Sequence, residues 1–320
     1  MEAITPASNH KFRFNGEGGT YFGIVFINWV FTVLSLGLYY PWAKAKKLHY
    51  LYGETELADS RFSFTGTGAE MFKGFIKAVL MFGALYAIYF GAILSKKPAI
   101  IFTGLFIFLI GFMILIPIAI HGSLRYRMAK TEYRGISFSY TGDLKTLVKL
   151  YWKGIFFSII TLGIYGSWFQ VTIQKYTAEH IKWGDNSLGF SGEGSDLFVT
   201  NLVGSILTIF TIYIYSFWYI RNLHQFYINN LYVQQGDYQY AIHTNITAGD
   251  CFKIAMFYLL GLFTVGIMIP FASIYEMRVM LENIEIDGNL NLNNSNRSEN
   301  ATNDATGEDL ADMLDLDLTL

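Results

Sequence analysis

The sequence predicts an α-helical polytopic membrane protein, with about six transmembrane helices in an internally duplicated arrangement and short β-hairpins between helices. Three observations predict it. Hydrophobic residues make up 52% of the 320-residue chain and charged residues 15%, where a soluble domain carries about a quarter charged. Six apolar stretches are long enough to cross roughly 30 Å of hydrocarbon as helices. Residues 12–72 overlay residues 138–198 without a gap when the chain is shifted by 126.

The N-terminal extension, residues 1–11, has no apolar core and no small-residue cleavage site, so no secretory signal peptide is expected. The membrane domain then runs over residues 12–288. Its six apolar stretches are 21–40, 75–94, 98–120, 154–174, 197–220 and 254–275. Five lack any charge, and the second carries only Lys77, near enough to its end to snorkel. Ser95-Lys96-Lys97 joins the second to the third as a tight hairpin. Flanks such as Tyr39, Tyr40 and Trp42 with Lys44, Lys46 and Lys47, and Trp152 with Lys149 and Lys153, suit the membrane–water interface.

The overlay pairs Phe14 and Gly16 with Tyr140 and Gly142, Leu36-Gly37-Leu38-Tyr39 with Leu162-Gly163-Ile164-Tyr165, Trp42 with Trp168, and Tyr50 with Tyr176. Shorter echoes occur at 50 residues, Phe14 on Phe64, and at 76 residues, Pro41 on Pro117. The building block reads as a short strand, a membrane helix, an aromatic flank and a hairpin. Ala58-Asp59, Gly184-Asp185, Gly236-Asp237 and Asp287-Gly288 supply turn residues between alternating stretches.

Three crossings separate the two copies, so the copies are expected to be inverted. Lys44, Lys46 and Lys47 follow the first copy's helix, whereas Lys145, Lys149 and Lys153 precede the second's. The three loops after the odd-numbered segments hold 15 Lys and Arg and the other stretches 8, which by the positive-inside rule places both termini outside. A rival arrangement makes some segments re-entrant, breaking at Leu36-Gly37…Pro41 and its equivalents. All strands would then lie on one side and form a single sheet.

Phe14, Gly16, Gly18, Gly37, Tyr39, Pro41, Trp42, Tyr50, Phe62 and Phe64 together resemble the YjgN family of bacterial inner-membrane proteins, a domain of unknown function. The resemblance is strong over residues 12–72 and extends to about 288. The second copy departs from it, with Gly166-Ser167-Trp168 where the first has Tyr40-Pro41-Trp42. The resemblance implies a multi-pass protein of the bacterial inner membrane and brings no established activity, substrate or site.

Residues 289–320 are Asn/Ser-rich and then acidic, a composition that cannot fold alone. The expectation is a disordered tail whose spaced leucines offer a docking motif for a protein partner. The lipid bilayer is the partner the composition names, and a net charge of −2 gives no case for nucleic acid. The one cysteine, Cys251, makes neither a disulfide nor a metal cluster. No catalytic motif is met, so neither an enzyme nor a cofactor is expected. The candidate polar contacts within the membrane are Asn28, Asn201, Gln170 and His121, with the cluster Arg221-Asn222-His224 near a helix end. For the asparagines, interhelical hydrogen bonding is favoured over a solute contact. Two functions remain: a small-solute transporter or channel built from inverted repeats, and a non-catalytic envelope scaffold, assembly or lipid-organising protein.

Overall fold

The computed structural model describes residues 9–288 together with Leu290 and Leu292; the rest of the expected tail and residues 1–8 lie outside the described residues. Five units follow one another, each a strand, a pair of helices and a strand. The first is β1 (His10–Phe14), α1 (Gly18–Leu34), α2 (Tyr40–Gly53) and β2 (Thr55–Leu57). The second is β3 (Ser60–Phe64), α3 (Gly68–Leu94), α4 (Pro98–Lys130) and β4 (Thr131–Tyr133). The third is β5 (Ile136–Tyr140), α5 (Leu144–Ile160), α6 (Gly166–Glu179) and β6 (Ile181–Trp183). The fourth is β7 (Asn186–Phe190), α7 (Gly194–Phe210), α8 (Ser216–Asn229) and β8 (Leu231–Gln235). The fifth is β9 (Tyr238–Thr244), α9 (Ala248–Phe263), α10 (Ile269–Glu282) and β10 (Ile284–Ile286).

The strands close into one barrel, every neighbour antiparallel, with β1 sealing against β10. Ala58-Asp59 and Arg134-Gly135 turn with positive φ at both central residues, the geometry that matches strand twist in two-residue hairpins. Antiparallel closure fixes the polarity of the molecule. All tight turns leave one end of the barrel and all helical hairpins leave the other.

Alternation sorts the side chains. Inward, each strand gives one or two residues to one apolar cluster, from Phe12 of β1 and Leu57 of β2, through Trp183 of β6, to Ile286 of β10. The rings of Phe62 and Tyr133 stack at 4.7 Å, and those of Tyr133 and Trp183 meet at 5.3 Å. Leu290 and Leu292 join this cluster and are buried. Outward stand Lys11, Arg13, Glu56, Arg61, Glu132 and Lys182, with Arg13 opposite Glu56 and Glu56 opposite Arg61. A barrel apolar inside and charged outside belongs in water, the reverse of a membrane barrel.

The expectation of about six transmembrane helices is corrected. Among the described residues only α3 and α4 are long and apolar enough to cross a membrane, and a ten-strand barrel takes the place of isolated hairpins. The other four apolar stretches are each two helices joined by a reversal. Leu36, Leu162, Ile212 and Val265 adopt left-handed φ, each followed by a second positive-φ residue, Gly37, Gly163, Tyr213 or Gly266. A hydropathy window adds the arms of such a hairpin together and reads one span.

The inverted orientation falls with it. β1 and β5 start their units in the same barrel, so both copies point the same way. The lysines that seemed to change ends have moved from one arm of a hairpin to the other: Lys44, Lys46 and Lys47 on α2, Lys145, Lys149 and Lys153 on α5.

Candidate functional site

The hairpin ring is the part of the molecule built unlike a soluble protein. Its tips expose large apolar side chains: Leu36 and Leu162 are 94% exposed, Val265 93% and Ile212 85%. In water these residues would be misplaced; in lipid they are solvated. Lipid requires that each backbone N–H find a partner inside the protein, and the tips meet that demand. Gly37 N donates to Thr32 O at 2.7 Å, Gly163 N to Ser158 O at 2.7 Å, Tyr213 N to Thr208 O at 2.8 Å and Gly266 N to Gly261 O at 2.8 Å. These are the bonds that close a helix through a left-handed residue. A hydroxyl then caps the next helix. Ser35 Oγ accepts from Tyr39 N at 2.9 Å, Thr161 Oγ1 from Tyr165 N at 2.9 Å, Thr211 Oγ1 from Tyr215 N at 2.9 Å and Thr264 Oγ1 from Met268 N at 3.1 Å. The remaining amides from Ser35 to Tyr40, and their equivalents, bond to backbone carbonyls.

Where hairpins join the barrel, the family-motif residues make the joint. Phe14 folds back over Gly16, where a Cβ would stand 2.5 Å from its ring; Phe64 and Gly66 repeat this at 2.6 Å, Phe190 and Gly192 at 2.7 Å. The fifth unit reverses the sizes, with Thr244 in the aromatic position and buried Ile246 in the glycine position. Gly18 packs under Phe271, Gly68 under Trp42 and Gly194 under Trp168, so the first helices of the first, second and fourth units seat beneath a ring from the preceding unit. Pro41 opens α2 and Pro270 opens α10, where the missing N–H costs nothing. The Tyr50 hydroxyl accepts from Glu17 N at 2.7 Å and lies 3.1 Å from Glu17 O; Tyr176 treats Asp143 the same way. His49, Gln225 and Arg278 each reach the next unit's strand–helix loop, at Gly66 O, Ile246 O and Gly16 O.

The polar candidates are dispersed. Asn28 is buried and donates to Ala43 O at 3.3 Å, tying α1 to α2. Asn201 donates to Ser167 Oγ at 3.1 Å and accepts from Tyr219 Oη at 2.8 Å, bridging α6, α7 and α8. Gln170 accepts from Tyr227 Oη at 3.3 Å. His121 stands edge-on to Tyr140, its Nδ1 buried without a hydrogen-bond partner among the described residues. Arg221 donates to Asn222, while His224 Nε2 is buried without a partner among the described residues. These groups do not converge on one site.

Two grooves do form at the helix joints. One, of about 500 Å³, lies between α6 and the start of α7, with Trp168, Lys175, Glu179 and Glu193 in its walls. The other, of about 600 Å³, runs between α1 and α2 along Thr20, Gly23, Ile24 and Ile27, with Asn28, Lys46 and His49. Lys46 donates to Tyr39 Oη at 2.9 Å. Among the described residues no group of three or more His, Cys, Asp or Glu is placed to hold a metal.

The alternative break at Leu36-Gly37…Pro41 is where the chain reverses; the hydroxyl caps have no place in that reading. Their signal is the recurrence of a hydroxyl, an aliphatic, usually glycine, an aliphatic and then Tyr or Met, as in Ser35-Leu-Gly-Leu-Tyr39, Thr161-Leu-Gly-Ile-Tyr165 and Thr264-Val-Gly-Ile-Met268.

Comparison with known proteins bears on the whole assembly. The chain is similar to Inner membrane protein YjgN of Salmonella typhimurium LT2, 30% identical over 177 residues, covering 51% of this chain and 42% of the relative. It is 31% identical over 156 residues to Inner membrane protein YjgN of Escherichia coli K12, covering 49% of this chain and 36% of that one. The chain thus spans about two-fifths of the curated relatives it matches. No solved structure matches the chain significantly. The pattern of the DUF898 family, described as bacterial protein of unknown function, matches residues 9–190 and 239–313, passing over most of the fourth unit. Inner-membrane location follows for this chain as for its relatives, and the chain belongs to the DUF898 family of bacterial proteins of unknown function.

Proposed function

We propose that the protein is a non-catalytic, lipid-organising scaffold, held by one hairpin that crosses the inner membrane twice and by four that enter only one leaflet. Helix length supports this. α3 has 27 residues and α4 33, roughly 40 and 50 Å of helix. The arms of the four short hairpins have 14 to 17 residues, roughly 21 to 25 Å, less than the bilayer core.

The lysines mark the depth. Lys153 precedes Leu162 by nine residues, about 13 Å of helix and close to half a hydrocarbon core. Lys77 precedes Lys96 by 19 residues, about 28 Å and close to a whole one. The long hairpin accordingly ends in Lys96 and Lys97, suited to the far headgroups, while the short ones end in Leu36, Leu162, Ile212 and Val265. Among the described residues only those two lysines stand at a hairpin tip and the other Lys and Arg lie toward the barrel, so the positive-inside rule puts the barrel in the cytoplasm.

The carrying observation is that every backbone N–H of the four short tips has a partner within the protein, which favours a chain reversal resting inside hydrocarbon. The filled barrel layer and the dispersed polar groups favour a scaffold over a solute path. The test is cysteine labelling in a Cys251→Ala background. Ser63→Cys and Ser191→Cys should react with an impermeant maleimide from the cytoplasmic side, Lys97→Cys from the opposite side, and Leu36→Cys and Leu162→Cys from neither. Labelling of Leu36→Cys from the side opposite the barrel would overturn the one-leaflet reading, and solute flux in proteoliposomes would overturn the scaffold.

A further inference from the structure

One sector of the ring carries its own electrostatics. Lys73 and Lys149 each stand five residues beyond the start of their helices, α3 and α5. Lys153 stands one turn further along α5. All three are exposed, on faces opposite the buried Met71, Gly74 and Ala78 of α3 and the buried Leu147 and Gly154 of α5. α4 packs between these helices and adds exposed Arg125. Trp152, 37% exposed, sits beside Lys153.

The neighbouring acids are engaged elsewhere. Glu70 binds Lys130 Nζ at 3.1 Å, and Asp143 accepts from Thr146 N at 2.8 Å to cap α5. Other sectors differ: on α2 Lys44 is buried and Lys46 donates to Tyr39 Oη at 2.9 Å, α7 carries Asp196 and no lysine, and Lys253 of α9 pairs with Asp250 at 3.7 Å. By the depth argument, these cations lie in the headgroup layer of the leaflet next to the barrel.

We propose that the α3–α4–α5 sector selects anionic glycerophospholipids over zwitterionic ones from that leaflet. Lys73, Arg125, Lys149 and Lys153 take the headgroup phosphates. A zwitterionic headgroup brings its own cation and gains less there. Each basic side chain at such a surface favours an anionic lipid by about fivefold. The selectivity rests on the embedded reading above, so its test measures embedding separately.

The full chain is reconstituted into phosphatidylcholine vesicles containing a minor share of phosphatidylglycerol, with spin-labelled forms of both lipids. The wild type should immobilise labelled phosphatidylglycerol several-fold more than labelled phosphatidylcholine. The variant Lys73→Gln/Lys149→Gln/Lys153→Gln should cut that ratio sharply, leaving only what Arg125 sustains, and Lys182→Gln on the barrel should leave it unchanged. Quenching of exposed Trp29 by brominated acyl chains reports embedding. Quenching with equal association of both lipids, or a triple variant that keeps the preference, would overturn the selectivity alone; absent quenching would overturn both readings.

Discussion

At the residue scale the strand–helix joint obeys a size rule that can be exchanged. Phe14 is 2% exposed, with its ring filling the space over Gly16, while Ile246 is 1% exposed above the smaller Thr244. Ile at position 16 collides with the ring, an overpacking that costs about 1–3 kcal/mol. Thr at position 14 leaves a cavity, costing about 3–5 kcal/mol for a lost aromatic. The pair Phe14→Thr/Gly16→Ile rebuilds the fifth unit's arrangement in the first. Its loss of stability should fall short of the two single losses added together by at least about 1 kcal/mol. Thermal unfolding of the four proteins in one detergent measures the difference, and strict additivity would show the two positions to be independent. This rule was half legible in sequence. Phe14, Gly16, Phe64 and Gly66 stood out by recurrence, but why glycine follows the aromatic required the ring's direction, which no spacing states.

At the element scale the hairpin tip decides between a span and a re-entrant pair. Composition made the apolar arms easy to find and hid the reversal, because Leu36, Leu38 and Tyr39 are as apolar as the helices they join. The informative residues were the hydroxyl and the glycine, which set hydrogen bonding and φ rather than hydropathy. The 50-residue and 76-residue shifts, which add to 126, equal the spacings between successive units. The longer spacing belongs to the one hairpin whose arms are extended, so the extra length reads as reach and not as an added crossing. The hydroxyl is open to test. Thr161→Val keeps the shape and removes the acceptor for Tyr165 N, leaving a donor unmet; such a loss costs about 1–3 kcal/mol. Thr161→Ser restores the acceptor and should recover most of the stability. Equal melting temperatures for the Val and Ser variants would mean that the cap contributes nothing.

At the scale of the whole molecule, stability depends on how the barrel is closed, at its seam and at its turn end. The seam joins the first strand to the last through His10–Ile286 and Lys11–Glu285 pairs. Lys11 Nζ lies 2.7 Å from Glu285 and, through that hydrogen bond, holds the carboxyl below the usual carboxylate range. A depressed carboxylate stabilises the fold above its unfolded pKa of about 4.3 and loses that contribution as pH falls through the folded value. The pair is partly exposed, so its worth is about 0.2–1 kcal/mol. The wild type should therefore melt slightly above Glu285→Gln at pH 7, with the gap closing as pH drops below 4; a gap that widens on acidification would reverse the assignment. The turn end was invisible to composition, since Leu290 and Leu292 sit at the start of a polar, Asn-rich stretch. Both are buried in the barrel's apolar cluster, and His10 Nε2 lies 3.2 Å from Leu290 O. Burying one leucine contributes about 1.5–3 kcal/mol, and an aspartate in its place adds the cost of an unpaired charge. Leu290→Asp/Leu292→Asp should thus loosen the barrel while leaving the hairpins embedded. The expected signature is faster amide exchange in β9 and β10 with Trp29 still quenched by brominated lipid. Unchanged exchange would mean that the two leucines cover the barrel without helping to close it.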